Sequence, residues 1–203
     1  MVNKIYFKSL INADNMYQTM TFNPKQNHGI TCQVVNDILK YKTLKPNTDH
    51  NELNKRLCVS LITTEYNKTY RPEGLVFTTD EEPEYCIPFD LMALTNGKTF
   101  TSCDYSSKFL EGHRIFLFKT INEMISKYQN PEKAIEGLNS FRKMFLLEPL
   151  EIEKFRYNEC CFNKEIKILP LALIGNNEHL RSIAKQFSIR IYDNIEEFVE
   201  STK

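Results

Sequence analysis

Short apolar runs of strand length alternate along this chain with segments whose apolar residues recur at helical spacing, and this alternation predicts most of the elements. Lys4 to Lys8, Leu57 to Ile62 and Gly74 to Thr78 read as strands. Thr31 to Tyr41 places Val34, Val35, Ile38 and Leu39 at helical spacing and reads as a helix, with a strand as the alternative that its β-branched residues leave open. Between these, Asn12 to Asn27 shows no sustained period and reads as a long loop or pair of turns. Lys42 to Asn54, with Pro46 and a run of Asn, Thr, Asp and His, reads as an exposed loop. Thr79 is expected to cap a short helix, because Asp80, Glu81 and Glu82 would suit its positive end and Pro83 is tolerated near its start. Lys98 to Ser102 and Arg114 to Lys119 are expected strands, and Asn122 to Tyr128 a helix.

The last third follows a clearer rhythm. Asn130-Pro131 is a helix start, with Asn as cap and Pro at the first helical position. The helix is expected to run to about Leu147 with Ile135, Leu138, Phe141 and Phe145 on one side, and Pro149 stops it. Strand Ile166 to Ile174, helix Glu178 to Phe187, strand Ser188 to Tyr192 and helix Ile195 to Ser201 then give a β-α-β-α order, which implies parallel pairing. The fold class expected is α+β: a mixed sheet with several short helices and a β-α-β-α C-terminal segment. A boundary, if there is one, falls between Leu147 and Glu165, where Arg156-Tyr157-Asn158-Glu159 is polar. Residues 1–148 would form an α+β domain with residues 149–203 packed on it as one unit.

At 203 residues the chain can bury a proper core. Its 26 Lys and Arg balance 26 Asp and Glu, and no basic run exceeds two residues. That leaves no net field to hold a phosphate backbone, so nucleic acid is not expected as the main partner. No window approaches the length of a membrane span, and no membrane role is expected. The opening Met1-Val2-Asn3-Lys4-Ile5 runs into a strand-like pattern rather than an apolar leader. The six cysteines are therefore read as reduced thiols in a cytosolic compartment.

Local spacing points to no metal centre. The chain has no C-x-x-C and no H-x-x-x-H, and the adjacent Cys160 and Cys161 point in different directions in either a strand or a helix. No metal and no cofactor are expected on the leading reading. Gly175-Asn176-Asn177 joins a strand to a helix but lacks the further glycines of a dinucleotide fingerprint, and reads as a tight turn into an Asn-capped helix. His28, beside Gly29, is the most suggestive histidine. His50, His113 and His179 read as surface or capping residues. The carboxylates of Asp80, Glu81, Glu82 and Glu84 could imitate an acid-base site but match a helix dipole on a wet surface better.

Two resemblances add to this reading. Ile5-Tyr6-Phe7, Asn27-His28-Gly29 and Pro72-Glu73-Gly74-Leu75-Val76-Phe77-Thr78 together resemble the "GGLYFT" element of uncharacterised domains in giant DNA viruses of the mimivirus type, over about the first 100 residues. Glu73 stands where the second Gly would be, a long insertion separates His28 from Gly74, and no ankyrin repeats follow. That resemblance implies a viral protein in the host cytoplasm. The leading expectation is thus a non-enzymatic accessory protein acting through contacts with a host or viral protein. The same segment is similar to the strand and helix bordering the NAD cleft in ADP-ribosyltransferase-like folds. That alternative implies an enzyme using NAD or another nucleotide, with Phe77 and Thr78 at the cofactor and His28, Tyr85 and Glu153 as catalytic residues. Glu151 is the other candidate for the late glutamate.

Overall fold

A computed structural model describes residues 16–19, 35–46, 57–63, 65–68, 72–89, 114–144, 148–151 and 156–202. Its frame is a mixed sheet built from β1 (Met16–Thr19), β3 (Leu57–Ile62), β4 (Gly74–Thr78), β5 (Tyr85–Ile87), β6 (Glu159–Phe162), β8 (Leu169–Ile174) and β9 (Arg190–Tyr192). Among the described residues these seven strands lie in the order β5-β6-β3-β1-β4-β8-β9. Neighbours pair antiparallel except β8 and β9, which run parallel from Ala172↔Arg190 to Ile174↔Tyr192. A separate ribbon joins β2 (Thr43–Leu44) to β7 (Ile166–Lys167). Five α-helices complete the described chain: α1 (Val35–Tyr41), α2 (Ile121–Lys127), α3 (Pro131–Met144), α4 (Glu178–Phe187) and α5 (Ile195–Ser201). The class is α+β, and the C-terminal β8-α4-β9-α5 order carries the expected parallel pair.

Because alternate residues of a strand face opposite ways, the sheet divides its side chains between two layers. On one face Leu57, Val59, Leu61, Leu75, Phe77 and Leu173 meet the apolar sides of α1, α2 and α4 in the largest core. On the other, Ile62, Val76, Ala172 and Ile174 are covered by Ile195, Phe198 and Val199 of α5. At the β5 edge Ile87 packs with Phe89, Phe116 and, from α3, Ala134, Ile135 and Leu138. Phe116 lies 5.2 Å from Phe89 and 5.9 Å from both Tyr128 and Phe141, ring centre to ring centre. Phenylalanine and tyrosine thus do the filling that tryptophan would otherwise share in a chain without it.

Local chemistry explains where the helices begin. The Thr120 hydroxyl accepts from Glu123 N–H while the Glu123 carboxylate reaches back to Thr120 N–H, a complete capping box ahead of α2. Asn130 Oδ1 accepts from Lys133 N–H at the start of α3. Asn177 and Asn194 accept from Leu180 and Glu197 N–H at the starts of α4 and α5. Gly175 precedes α4 at φ 142°, and a Cβ there would stand 2.6 Å from Leu180 Cδ1, so only glycine fits this turn.

Several expectations need correction. Thr79 caps a turn rather than a helix: its hydroxyl accepts from Glu81 N–H and donates to Lys167 O, and the chain enters β5 at Tyr85. Arg114 to Lys119 is not a strand but a short 3-10 turn, Arg114–Phe116, followed by one bridge between Phe118 and Cys86. Ile166 to Ile174 is split, because β7 pairs with β2 while β8 joins the main sheet. β1 lies within the stretch read as loop, and β2 opens the loop read from Lys42. Asn158 and Glu159, read as part of a polar boundary, are buried where β6 begins. With β6, β8 and β9, residues beyond 148 supply three strands of the same sheet. α3 ends at Met144, short of Leu147. The strands expected at Lys4 to Lys8 and Lys98 to Ser102 lie outside the described residues.

Candidate functional site

Two places gather side chains in ways that local structure alone does not require. The first is a groove where α1 and α4 end beside the opening half of β8. Both helices stop in a left-handed residue, Lys42 at φ 53° and Ser188 at φ 52°. Lys42 N–H donates to Ile38 O at 2.7 Å, and Ile189 N–H reaches back to Ala184 O at 3.0 Å. These stops turn the chain sharply and leave a cavity of about 340 Å³ between them, within the range of ligand pockets. Leu39, Leu169, Leu171, Phe187 and Ile189 bring apolar side chains to it, and polar atoms make up the larger part of its accessible lining. Lys42 and Arg190 are exposed on its rim, and no acidic side chain lines it among the described residues.

Leu169 stands 57% exposed in this groove although it belongs to a strand. The β8–β9 register starts only at Ala172↔Arg190, so Leu169 to Leu171 run along the groove before β9 begins. Pro170 follows the same logic, since a residue without an N–H is tolerated where a ladder is incomplete. The irregular register of β4 against β8 between Val76 and Phe77 falls opposite this half of β8.

The second place is a set of thiols in the β5-β6-β3 part of the sheet. Register sets Cys58 directly opposite Cys161, and Cys86 opposite Cys160. Adjacent residues of a strand point to opposite faces, so Cys160 and Cys161 serve two different layers, as their adjacency implied. Cys160 is fully buried in the main core; burial pushes its thiol pKa up, and the hydrogen bond with Cys86 adds to the shift. On the other face Cys58 Sγ and Cys161 Sγ are 3.0 Å apart. Glu159, two residues before Cys161, shares that face, and the donor atoms of Cys58, Glu159 and Cys161 all lie within 4.8 Å of one another. Glu159 and Cys161 are buried, while Cys58 is half-buried.

The residues expected to serve a nucleotide are not brought together where the structure describes them. Phe77 is fully buried in the main core and Thr78 ends β4. Tyr85 is on β5, with β6, β3 and β1 between it and β4, a separation of roughly 19 Å at about 4.8 Å per strand. Glu151 is exposed and His179 is exposed on α4. His28, His50, His113 and Glu153 lie outside the described residues. Sequence spacing misses both real gatherings for the same reason. Cys58 and Cys161 are 103 positions apart, and Lys42 meets Leu169 only through tertiary packing. A usable signal for the groove is Pro170 within an apolar run, which marks an incomplete ladder.

Comparison with known proteins finds no family model, no curated protein and no solved structure that matches this chain.

Proposed function

We propose that the chain is a non-enzymatic accessory protein that works by protein contact, with the groove between α1, α4 and β8 as its recognition surface. The observation that carries this reading is an exposed leucine, Leu169, set in an open cleft of mixed polar and apolar lining whose charged side chains, among the described residues, are both cationic, Lys42 and Arg190. Apolar side chains together with placed polar groups are how recognition clefts obtain both affinity and orientation. A cationic rim selects acidic partners and speeds their encounter. The occupant that fits is a partner segment carrying one or two aliphatic side chains next to a carboxylate. The viral origin and host-cytoplasmic setting implied by the resemblance belong to the same proposal. Free thiols at Cys58, Cys86, Cys160 and Cys161 suit a reducing compartment.

The test is a displayed peptide library selected on the full-length protein. Selected peptides should pair aliphatic with acidic residues. Their affinity should fall roughly tenfold or more, about 1.4 kcal/mol, when Lys42 and Arg190 are both changed to Glu, and should fall again with Leu169→Asp. Peptides that bind wild type and the charge-reversed variant equally would remove the groove from consideration.

A further inference from the structure

The cluster of Cys58, Glu159 and Cys161 lies outside the groove and has no part in the contact function proposed above. It sits on the sheet face away from α1, α2 and α4, on β3 and β6, between the apolar patch under α5 and the one under α3. Two sulfur donors and one carboxylate oxygen face one another there, all within 4.8 Å. We propose that these three residues bind one thiophilic divalent cation of the zinc class.

The donor set decides the class of metal. Thiolates favour zinc over magnesium or calcium, which prefer oxygen, and a borderline ion accepts a carboxylate as third ligand. The geometry is close to what such an ion needs. Two zinc–sulfur bonds of about 2.3 Å at a tetrahedral angle set the sulfurs about 3.8 Å apart, and the pair now stands at 3.0 Å. Side-chain rotation supplies the difference without moving the strands, because Cys58 and Cys161 are already a directly opposed pair. Glu159 keeps its place by the two-residue repeat of β6. Cys58 is only half-buried, so ion and solvent enter from its side, and a water completes four-coordination. On binding, the proton of each thiol leaves to solvent, and the two thiolates with the carboxylate surround the dication. The ion would tie β3 to β6 across 103 residues of chain.

The experiment uses the full-length chain, kept reduced by a phosphine and confirmed by thiol titration, with Co²⁺ as the spectroscopic probe. The expected result is about one equivalent bound, with a thiolate-to-cobalt charge-transfer band that Zn²⁺ displaces. Cys58→Ser abolishes the band, Cys161→Ser does the same, and Glu159→Gln weakens binding by at least about tenfold. Cys86→Ser, on the opposite face, leaves the spectrum intact. Should Cys161→Ser fail to fold, the half-buried Cys58→Ser variant decides the question, with circular dichroism as the folding control. Zn²⁺ should also raise the Tm of wild type and leave that of Cys58→Ser unchanged. Failure of the fully reduced protein to take up Co²⁺ overturns the proposal. So does a band that survives Cys58→Ser, since the metal would then sit on other thiols.

Discussion

Asn158 turns its whole amide toward one residue of the neighbouring strand. Its Oδ1 accepts from Leu61 N–H at 2.8 Å and its Nδ2 donates to Leu61 O at 2.9 Å, with no exposure to water. A side chain here replaces one step of the β3–β6 ladder. Asn158→Ala would orphan a buried backbone donor and acceptor together, and should cost about 2–4 kcal/mol, read as a Tm lower by roughly 5–15 °C. Tyr66 is a second buried polar residue with a distinct signature. It donates to Tyr128 O at 2.7 Å, and burial first, then the nearby Glu132 charge, pushes its pKa well above the ordinary 10.0. A tyrosine raised in the folded state contributes stability that is intact below the unfolded pKa and is lost as pH rises above it. Tyr66→Phe should therefore cost about 1 kcal/mol at neutral pH. The gap between variant and wild type should shrink above about pH 10, as urea midpoints measured across that range would show.

At the scale of elements, α4 illustrates how capping and packing share the work. Asn177 caps its start and also donates to Glu73 Oε1 at 2.5 Å, tying the helix to the turn before β4. Ser188 closes its end at φ 52° and ψ 38°, a conformation that penalises any residue with a Cβ. Ser188→Gly should accordingly raise stability by about 0.5–1 kcal/mol, and Asn177→Ala should lower it by about 1 kcal/mol, both measurable by denaturant midpoint. Elements of this kind are legible in the amino-acid sequence. Leu57 to Ile62, Gly74 to Thr78, Glu178 to Phe187 and Ile195 to Ser201 match β3, β4, α4 and α5 residue for residue, since each combines one hydrophobic period with a local start or stop. β1, β5 and β6 are not legible there. Met16–Thr19 has no such period, and its strand identity comes from partners on both sides, β3 and β4, far along the chain. Thr79 to Glu84 carries the composition of a helix start, but Thr79 donates to Lys167 O and Glu84 N–H to Cys161 O, so tertiary bonds hold the segment out of a helix. The groove and the thiol cluster are hidden for the same reason, being made of pairings rather than motifs.

For the molecule as a whole, strand order matters more than strand content. β6 lies between β5 and β3, and β8 lies between β4 and β9. Truncation after residue 148 would strip β6 from β3 and β5 and uncover the β4 edge. The shortened chain should lack cooperative unfolding and resist proteolysis poorly. Residues 149–203 supplied in trans should restore protection, and the readout is limited proteolysis of each fragment alone and of the mixture. A truncated chain that melts cooperatively by itself would refute this.

The position of β6 also sets a timetable for the nascent chain. Leu57 leaves the ribosome long before its partner Phe162 has been made. At roughly 5–20 residues per second, β3 therefore waits several seconds with the backbone groups of one edge unpaired. During that interval the protein is most exposed to chaperones and to pairing with the wrong strand. A slow stretch of translation between β5 and β6 would lengthen that exposure without altering a single residue of the finished fold.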